Sequence, residues 1–142
     1  MTMTPLFTAS ATATGGRNGH SEASDGNVSV DLSIPKAMGG PGKEGATTPE
    51  HLFATGYAAC FCSALEFVAR GRKVDVTGLS ISADVTIGSL PAGGFGLATV
   101  LTAHLPGHGE AEARELVEAA HGVCPYSNAT RGNMPVELRV TI

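Results

Sequence analysis

A chain of 142 residues has the length of one domain, residues 1–142, and can bury a core of its own. Hydrophobic residues make up 42% and charged ones 15%, which excludes disorder and leaves weakly charged surface for a subunit interface. A net charge of −4 without any Lys/Arg cluster excludes nucleic acid as a partner, since nothing would neutralise its phosphates.

The segment Met1 to Ser10 lacks a basic region followed by an apolar stretch, so no signal peptide is expected. The longest apolar segment, Leu52 to Val68, is interrupted by Thr55, Ser63 and Glu66, the pattern of a core helix rather than a membrane span. A soluble, cytoplasmic protein with no membrane partner is the expectation. Three cysteines are an odd number, whereas secreted disulfide frameworks are normally even. In a reducing compartment a cysteine is more often inert packing than chemistry, so its context must decide.

From the start, Phe7, Ala9, Ala11 and Ala13 alternate with polar residues, which predicts a half-buried strand. Gly15-Gly16 turns the chain, and Arg17 to Ser24 forms the return strand. Asp25-Gly26 is a hairpin signal, with Val28, Val30, Leu32 and Ile34 on a third strand. Pro35 to Ala46, with four Gly and two Pro, reads as loop. A long helix follows, capped by Thr47 or Thr48, with Pro49 in its first turn and Glu50 at the positive end of its dipole. It should run to about Arg70 and stop at Gly71. Its interior is apolar nearly all round, so burial on most sides is expected, part of it under a second subunit.

Leu79, Ile81, Ala83, Val85 and Ile87 predict one strand, and Leu97 through Leu105 another, with a Pro91/Gly93/Gly94 loop between them. An amphipathic helix, Glu110 to His121, presents Ala113, Leu116, Val117 and Ala120 on one face and is broken at Gly122. The last strand is Val136, Leu138, Val140 and Ile142. This order predicts an α+β fold with mainly antiparallel sheets around a long buried helix.

Cys60 lies near the middle of that helix and shares a face with Phe53, Gly56, Tyr57, Ser63, Ala64 and Phe67, at about 100° per residue. That face either packs into a core or lines an apolar pocket around a thiol, and periodicity leaves both open. Cys62 leaves the helix about 200° away, which bars a disulfide with Cys60 without unwinding and marks it as packing. Cys124 continues the stripe of Ala113, Val117 and Ala120, while Pro125 pushes it towards extended geometry. A thiol at a frayed helix exit suits a cysteine that must swing, although plain packing explains it equally well.

A thiol becomes a strong nucleophile as thiolate, which a nearby cation favours. Arg17 follows a tight turn that can aim a guanidinium inwards, and Glu50 can grip that guanidinium in bidentate fashion. Each also has a plain reading, as a solvated turn arginine and as a helix-start acid answering the dipole. Glu50 and Cys60 are ten residues apart, or about 15 Å along one straight helix. They share a site only if the helix breaks between them or if one comes from a second subunit. With the apolar girth of the helix, this predicts a dimer.

The run Thr48-Pro49-Glu50-His51-Leu52-Phe53-Ala54-Thr55-Gly56-Tyr57-Ala58-Ala59-Cys60-Phe61 resembles the first cysteine motif of organic hydroperoxide resistance proteins. Val123-Cys124-Pro125-Tyr126-Ser127-Asn128-Ala129-Thr130-Arg131-Gly132-Asn133 resembles their second, and Ala11 to Gly19 resembles their opening. The related osmotically inducible protein C branch shares the fold and both cysteines, but the Tyr126 to Asn133 continuation points to the hydroperoxide resistance branch. His51 stands where that family often has Gln and is expected to face solvent; Cys62 is an extra thiol.

The resemblance implies an intertwined homodimer and a peroxidase reducing organic (alkyl and fatty-acid) hydroperoxides to alcohols. Cys60 would attack the peroxide and become a sulfenic acid; Cys124 would resolve it as a redox-active disulfide. Arg17, held by Glu50, would stabilise the thiolate, and Phe53 and Tyr126 would line the substrate pocket. No metal, flavin or other bound cofactor is implied. The external reductant would be a lipoyl dithiol such as dihydrolipoamide, carried by lipoylated proteins.

Three rivals are weaker, one of them a purely structural dimer with no chemistry. A zinc site from Cys60, Cys62, His121 and Cys124 has suitable ligand types, but the two-residue spacing throws Cys60 and Cys62 to opposite helix faces. A cysteine hydrolase would need a base, and no His has an evident route to Cys60.

Overall fold

The structure, a computed structural model, describes residues 2–142. The chain divides into two compact units, Met1–Leu52 and Phe53–Ile142.

In the first unit, β1 (Ala11–Thr14), β2 (His20–Ala23) and β3 (Ser29–Asp31) form an antiparallel sheet in that order. Its register places Ala11 opposite Ala23 and His20 opposite Asp31. Gly26 takes φ +76° in the expected Asp25-Gly26 turn, a conformation open to glycine at little cost. The predicted first strand is longer than the observed one. Past the bond from the Ser24 N–H to the Ser10 carbonyl, β2 turns away into the hairpin, so, among the described residues, 2–9 have no strand to pair with, and Phe7 is 86% exposed. The return strand is likewise short, because Gly16–Asn18 form a 3₁₀ turn that carries Arg17. After β3, Leu32 bridges to Thr47, which delivers the chain to the long helix.

That helix, α1 (Pro49–Gly71), starts where the capping residues predict: Thr48 Oγ1 accepts from the His51 N–H at 3.1 Å. His51 is exposed, as expected, and its Nδ1 lies 2.7 Å from the same hydroxyl.

In the second unit, β4 (Ser80–Ser89) and β5 (Phe95–His104) form an antiparallel hairpin closed by a turn in which the Gly93 N–H bonds the Leu90 carbonyl. β6 (Val136–Thr141) pairs with β5 in parallel, a departure from an antiparallel sheet. A parallel neighbour needs a long crossover, and α2 (Glu110–Val123) with α3 (Pro125–Thr130) supplies it.

The core joins Tyr57, Phe61, Ala64, Leu65 and Ala69 of α1 to Leu101, Ala103 and Leu105, and to Ala113, Leu116, Val117 and Ala120 of α2. The four α2 residues are those expected from its periodicity. In the single chain one stripe of α1 is buried, while Phe67 is 63% exposed. The helix is long and apolar enough to cross a membrane by length and composition, yet that stripe sits in a protein core.

One further expectation changes at the end of α2. The helix does not break at Gly122 but continues to Val123. A mid-helix glycine costs only about 1 kcal/mol, which the buried Val117 and Ala120 offset. The stop is set by Pro125, which disfavours helical geometry at Cys124 (φ −65°, ψ 123°) and then serves as the first residue of α3.

His108 pins the loop before α2. Its Nδ1 meets the Glu112 carboxylate and its Nε2 lies 2.8 Å from the Asp75 carbonyl oxygen. Both partners only accept, so the ring satisfies both as the doubly protonated imidazolium, and its pKa is raised, chiefly by Glu112. A raised folded-state pKa stabilises below the unfolded value and is lost as pH rises through the folded one. The melting-temperature deficit of His108→Gln should therefore be largest at about pH 5.5 and shrink towards pH 9, as thermal unfolding across that range would measure.

Candidate active site

Cys60 and Cys124, 64 residues apart in sequence, lie with their Sγ atoms 3.6 Å apart, within S–H···S contact. Cys60 comes from the middle of α1 and is half-buried; Cys124 is fully buried at the α2–α3 junction. Both are free thiols. Cys124 sits at a built corner rather than a frayed end. Its N–H donates to the Ala120 carbonyl, ending α2, and its carbonyl accepts from the Asn128 N–H, opening α3. The Arg131 guanidinium spans the same corner, donating to Asn128 Oδ1 at 2.7 Å and to the His121 carbonyl at 2.5 Å.

Burial pushes the Cys60 thiol above its ordinary pKa; the Tyr126 backbone N–H, bonded to Cys60, works the other way, and Cys124 adds to the rise. Burial also raises Cys62, with Glu66 adding to the effect. A buried thiol with a raised pKa needs a cation before it becomes a good nucleophile at neutral pH.

The first unit holds a guanidinium–carboxylate pair. Arg17 Nη1 and Nη2 lie 2.8 and 2.5 Å from the two carboxylate oxygens of Glu50, the bidentate grip the sequence suggested. The pair holds Glu50 below its usual carboxylate range and raises Arg17, so both stay charged. The turn leading to Arg17 uses Gly15 and Gly16 at φ +73° and +57°. At Gly19 a Cβ would lie 1.8 Å from the Thr14 carbonyl oxygen, so glycine alone fits there. Glu50 remains ten residues from Cys60 on a helix that runs unbroken from Pro49 to Gly71.

Around the thiols, Phe53, Tyr57 and Tyr126 form an aromatic group, with ring centroids 5.6–6.1 Å apart. Gly56 lets the Tyr126 ring approach α1, since a Cβ there would lie 3.0 Å from the Tyr126 hydroxyl. Phe53 also lines an apolar groove of about 500 Å³ with Leu90, Phe95, Leu97, Met134 and Pro135. Of the face predicted to surround Cys60, its N-terminal half (Phe53, Gly56, Tyr57) faces this aromatic group, and Ala64 joins the core. Ser63 and Phe67 are exposed instead.

α3 and the hydroxyl pair beneath it are not among the elements expected from the sequence: Tyr57 Oη lies 2.8 Å from Ser127 Oγ, both residues fully buried. Pro125, which marks a helix start as well as a stop, was the available signal for α3.

An OsmC-like protein family model matches residues 40–139. The organic hydroperoxide resistance protein of Xanthomonas axonopodis pv. citri is 52% identical over 134 residues, 94% of this chain and 93% of its own. The chain belongs to the organic hydroperoxide resistance family of OsmC-like proteins. Another member, OhrA of Bacillus subtilis, is 44% identical over 96% of each chain. Among solved structures, a family member from Legionella pneumophila superposes with a TM-score of 0.92 at 48% identity, covering 98% of this chain and 100% of that one. OhrB of Bacillus subtilis gives 0.88 at 42% identity, covering 96% and 100%. The family's α+β fold, with two small sheets and a long helix, is the fold described above.

Proposed function

We propose that this protein is a cytoplasmic, cysteine-based peroxidase that reduces organic hydroperoxides to alcohols. The observation that carries the reading is the 3.6 Å approach of the Cys60 and Cys124 sulfurs, with the more accessible thiol on the helix face that meets the aromatic group. The Cys60 thiolate attacks one peroxide oxygen, the O–O bond breaks, and the alkoxide leaves as alcohol after taking a proton. Cys60 is then a sulfenic acid. Cys124 attacks its sulfur, water leaves, and a Cys60–Cys124 disulfide remains. An external dithiol of the lipoyl type, such as dihydrolipoamide on a lipoylated protein, reduces the disulfide and is itself oxidised to a cyclic disulfide.

Cys60 must be activated against its own burial, and the Arg17–Glu50 pair is suited to the task. Because α1 is continuous, the cation reaches each thiol from the partner subunit's Arg17, in a homodimer. Phe53 and Tyr126 line the place where an alkyl chain lies, with no metal or bound cofactor taking part. Apolar lining favours bulky alkyl and fatty-acid hydroperoxides over hydrogen peroxide.

Steady-state kinetics test the reading. With dihydrolipoamide, kcat/KM for tert-butyl or cumene hydroperoxide should exceed that for hydrogen peroxide by about a hundredfold, the selectivity expected when an apolar site gains roughly 3 kcal/mol from an alkyl group. Thioredoxin should support little turnover. Equal rates with hydrogen peroxide would overturn the substrate assignment, and preference for thioredoxin would overturn the reductant.

A further inference from the structure

Tyr57 precedes Cys60 by three residues on one face of α1, and Ser127 lies in the first turn of α3, three residues past Cys124, which caps that helix. The two helices thus meet at two side-chain contacts one turn apart: sulfur to sulfur at 3.6 Å and hydroxyl to hydroxyl at 2.8 Å, with Thr130 Oγ1 a further 3.4 Å from Tyr57 Oη. Tyr57 and Ser127 are both 0% exposed. A buried hydroxyl without its partner is costly, so this pair tolerates little sliding or rotation of one helix against the other, unlike the apolar contacts beside it. Six residues of helix cannot hold themselves in place, so α3 depends on such anchors.

We infer that the Tyr57–Ser127 hydrogen bond positions Cys124 against Cys60, making both positioning residues for formation of the disulfide. Closing the sulfurs from 3.6 Å to the bonded length of about 2.05 Å takes only side-chain rotation while α3 stays anchored to α1. Without the anchor, α3 shifts among packings in which the thiols do not meet, and their effective concentration falls.

This inference deepens the peroxidase reading, but its test needs no peroxide. The full-length protein, in a Cys62→Ala background, is equilibrated with mixtures of reduced and oxidised dithiothreitol. Two thiols plus the cyclic disulfide give the Cys60–Cys124 disulfide plus the reduced dithiol, quantified by mass spectrometry. Tyr57→Phe, which keeps the ring, and Ser127→Ala should each lower the equilibrium constant about three- to tenfold, the range one net hydrogen bond supplies. The double variant should lose little more than either single one, since both remove the same bond. A merely structural hydrogen bond would lower the melting temperature and leave this equilibrium unmoved. An unchanged constant in Tyr57→Phe, or two losses that add in full, would overturn the inference. Should the wild-type protein fail to consume hydroperoxide, the peroxidase reading would fall, while this equilibrium would still decide the role of the pair.

Discussion

Cys60→Ser is expected to reduce hydroperoxide consumption to the uncatalysed rate, because a serine hydroxyl beside no general base is not a nucleophile towards the O–O bond. Cys124→Ser should behave differently. Its Cys60 can still be oxidised, so one equivalent of alcohol per subunit appears in a burst, after which turnover stops. The sulfenic acid then has no partner and moves on to sulfinic acid as peroxide increases. Mass spectrometry of each variant after graded peroxide separates the two roles: no added oxygen on Cys60→Ser, and gains of one and then two oxygens on Cys124→Ser. The asymmetry has a physical basis. Cys60 is half-buried and receives the Tyr126 N–H, whereas Cys124 is sealed at the α2–α3 corner. On the peroxidase reading, a peroxide should therefore reach the first sulfur and not the second. A burst in Cys60→Ser and none in Cys124→Ser would reverse the assignment.

Elements with strict periodicity were legible before any coordinates. β4 alternates from Ser80 to Gly88, and α2 buries the four residues its 3.6-residue period selects. The Arg17–Glu50 pair was legible for another reason: a tight Gly-Gly turn and a helix-start carboxylate are both local signals, and bidentate geometry joins them. What escaped depends on partners distant in sequence. A strand through Phe7 satisfies the alternation rule but lacks a neighbour, and nothing local to β6 says that its neighbour runs parallel. Gly122 reads as a break because propensity counts its cost and not the packing that offsets it. α3 is too short to carry a period, so Ser127 looked like an ordinary turn residue, and its bond to Tyr57 spans 70 positions. The thiols escaped least, because two long motifs flagged them, but their 3.6 Å approach belongs to tertiary structure.

Arg17→Ala should slow the peroxide step by about a hundredfold, the usual loss when one preorganised electrostatic stabiliser is removed from an active site. The pH profile carries the sign. Burial already raises Cys60, so without the guanidinium the thiolate forms only at higher pH, and the rate should climb further into the alkaline range than in the wild-type protein. Glu50→Gln should reproduce part of the defect, since it leaves Arg17 charged but without its bidentate anchor. At the other end of the range, Glu50 is held below its usual pKa by Arg17, so the stability that the pair contributes is present near neutrality and is lost as pH falls through the folded-state value. Subunit mixing tests the origin of the cation. Arg17→Ala and Cys60→Ser homodimers should each retain no more than about a hundredth of wild-type activity, but each heterodimer formed from them after partial unfolding and refolding would contain one site in which intact Cys60 meets the partner subunit's intact Arg17. Random reassortment makes half the dimers mixed, and half the sites in those are whole, so about a quarter of wild-type activity should return if sites act independently. If each subunit instead used its own Arg17, no heterodimer would hold a complete site, and the mixture would stay at that residual level. Because ten residues of unbroken helix separate Glu50 from Cys60, recovery is the expected result.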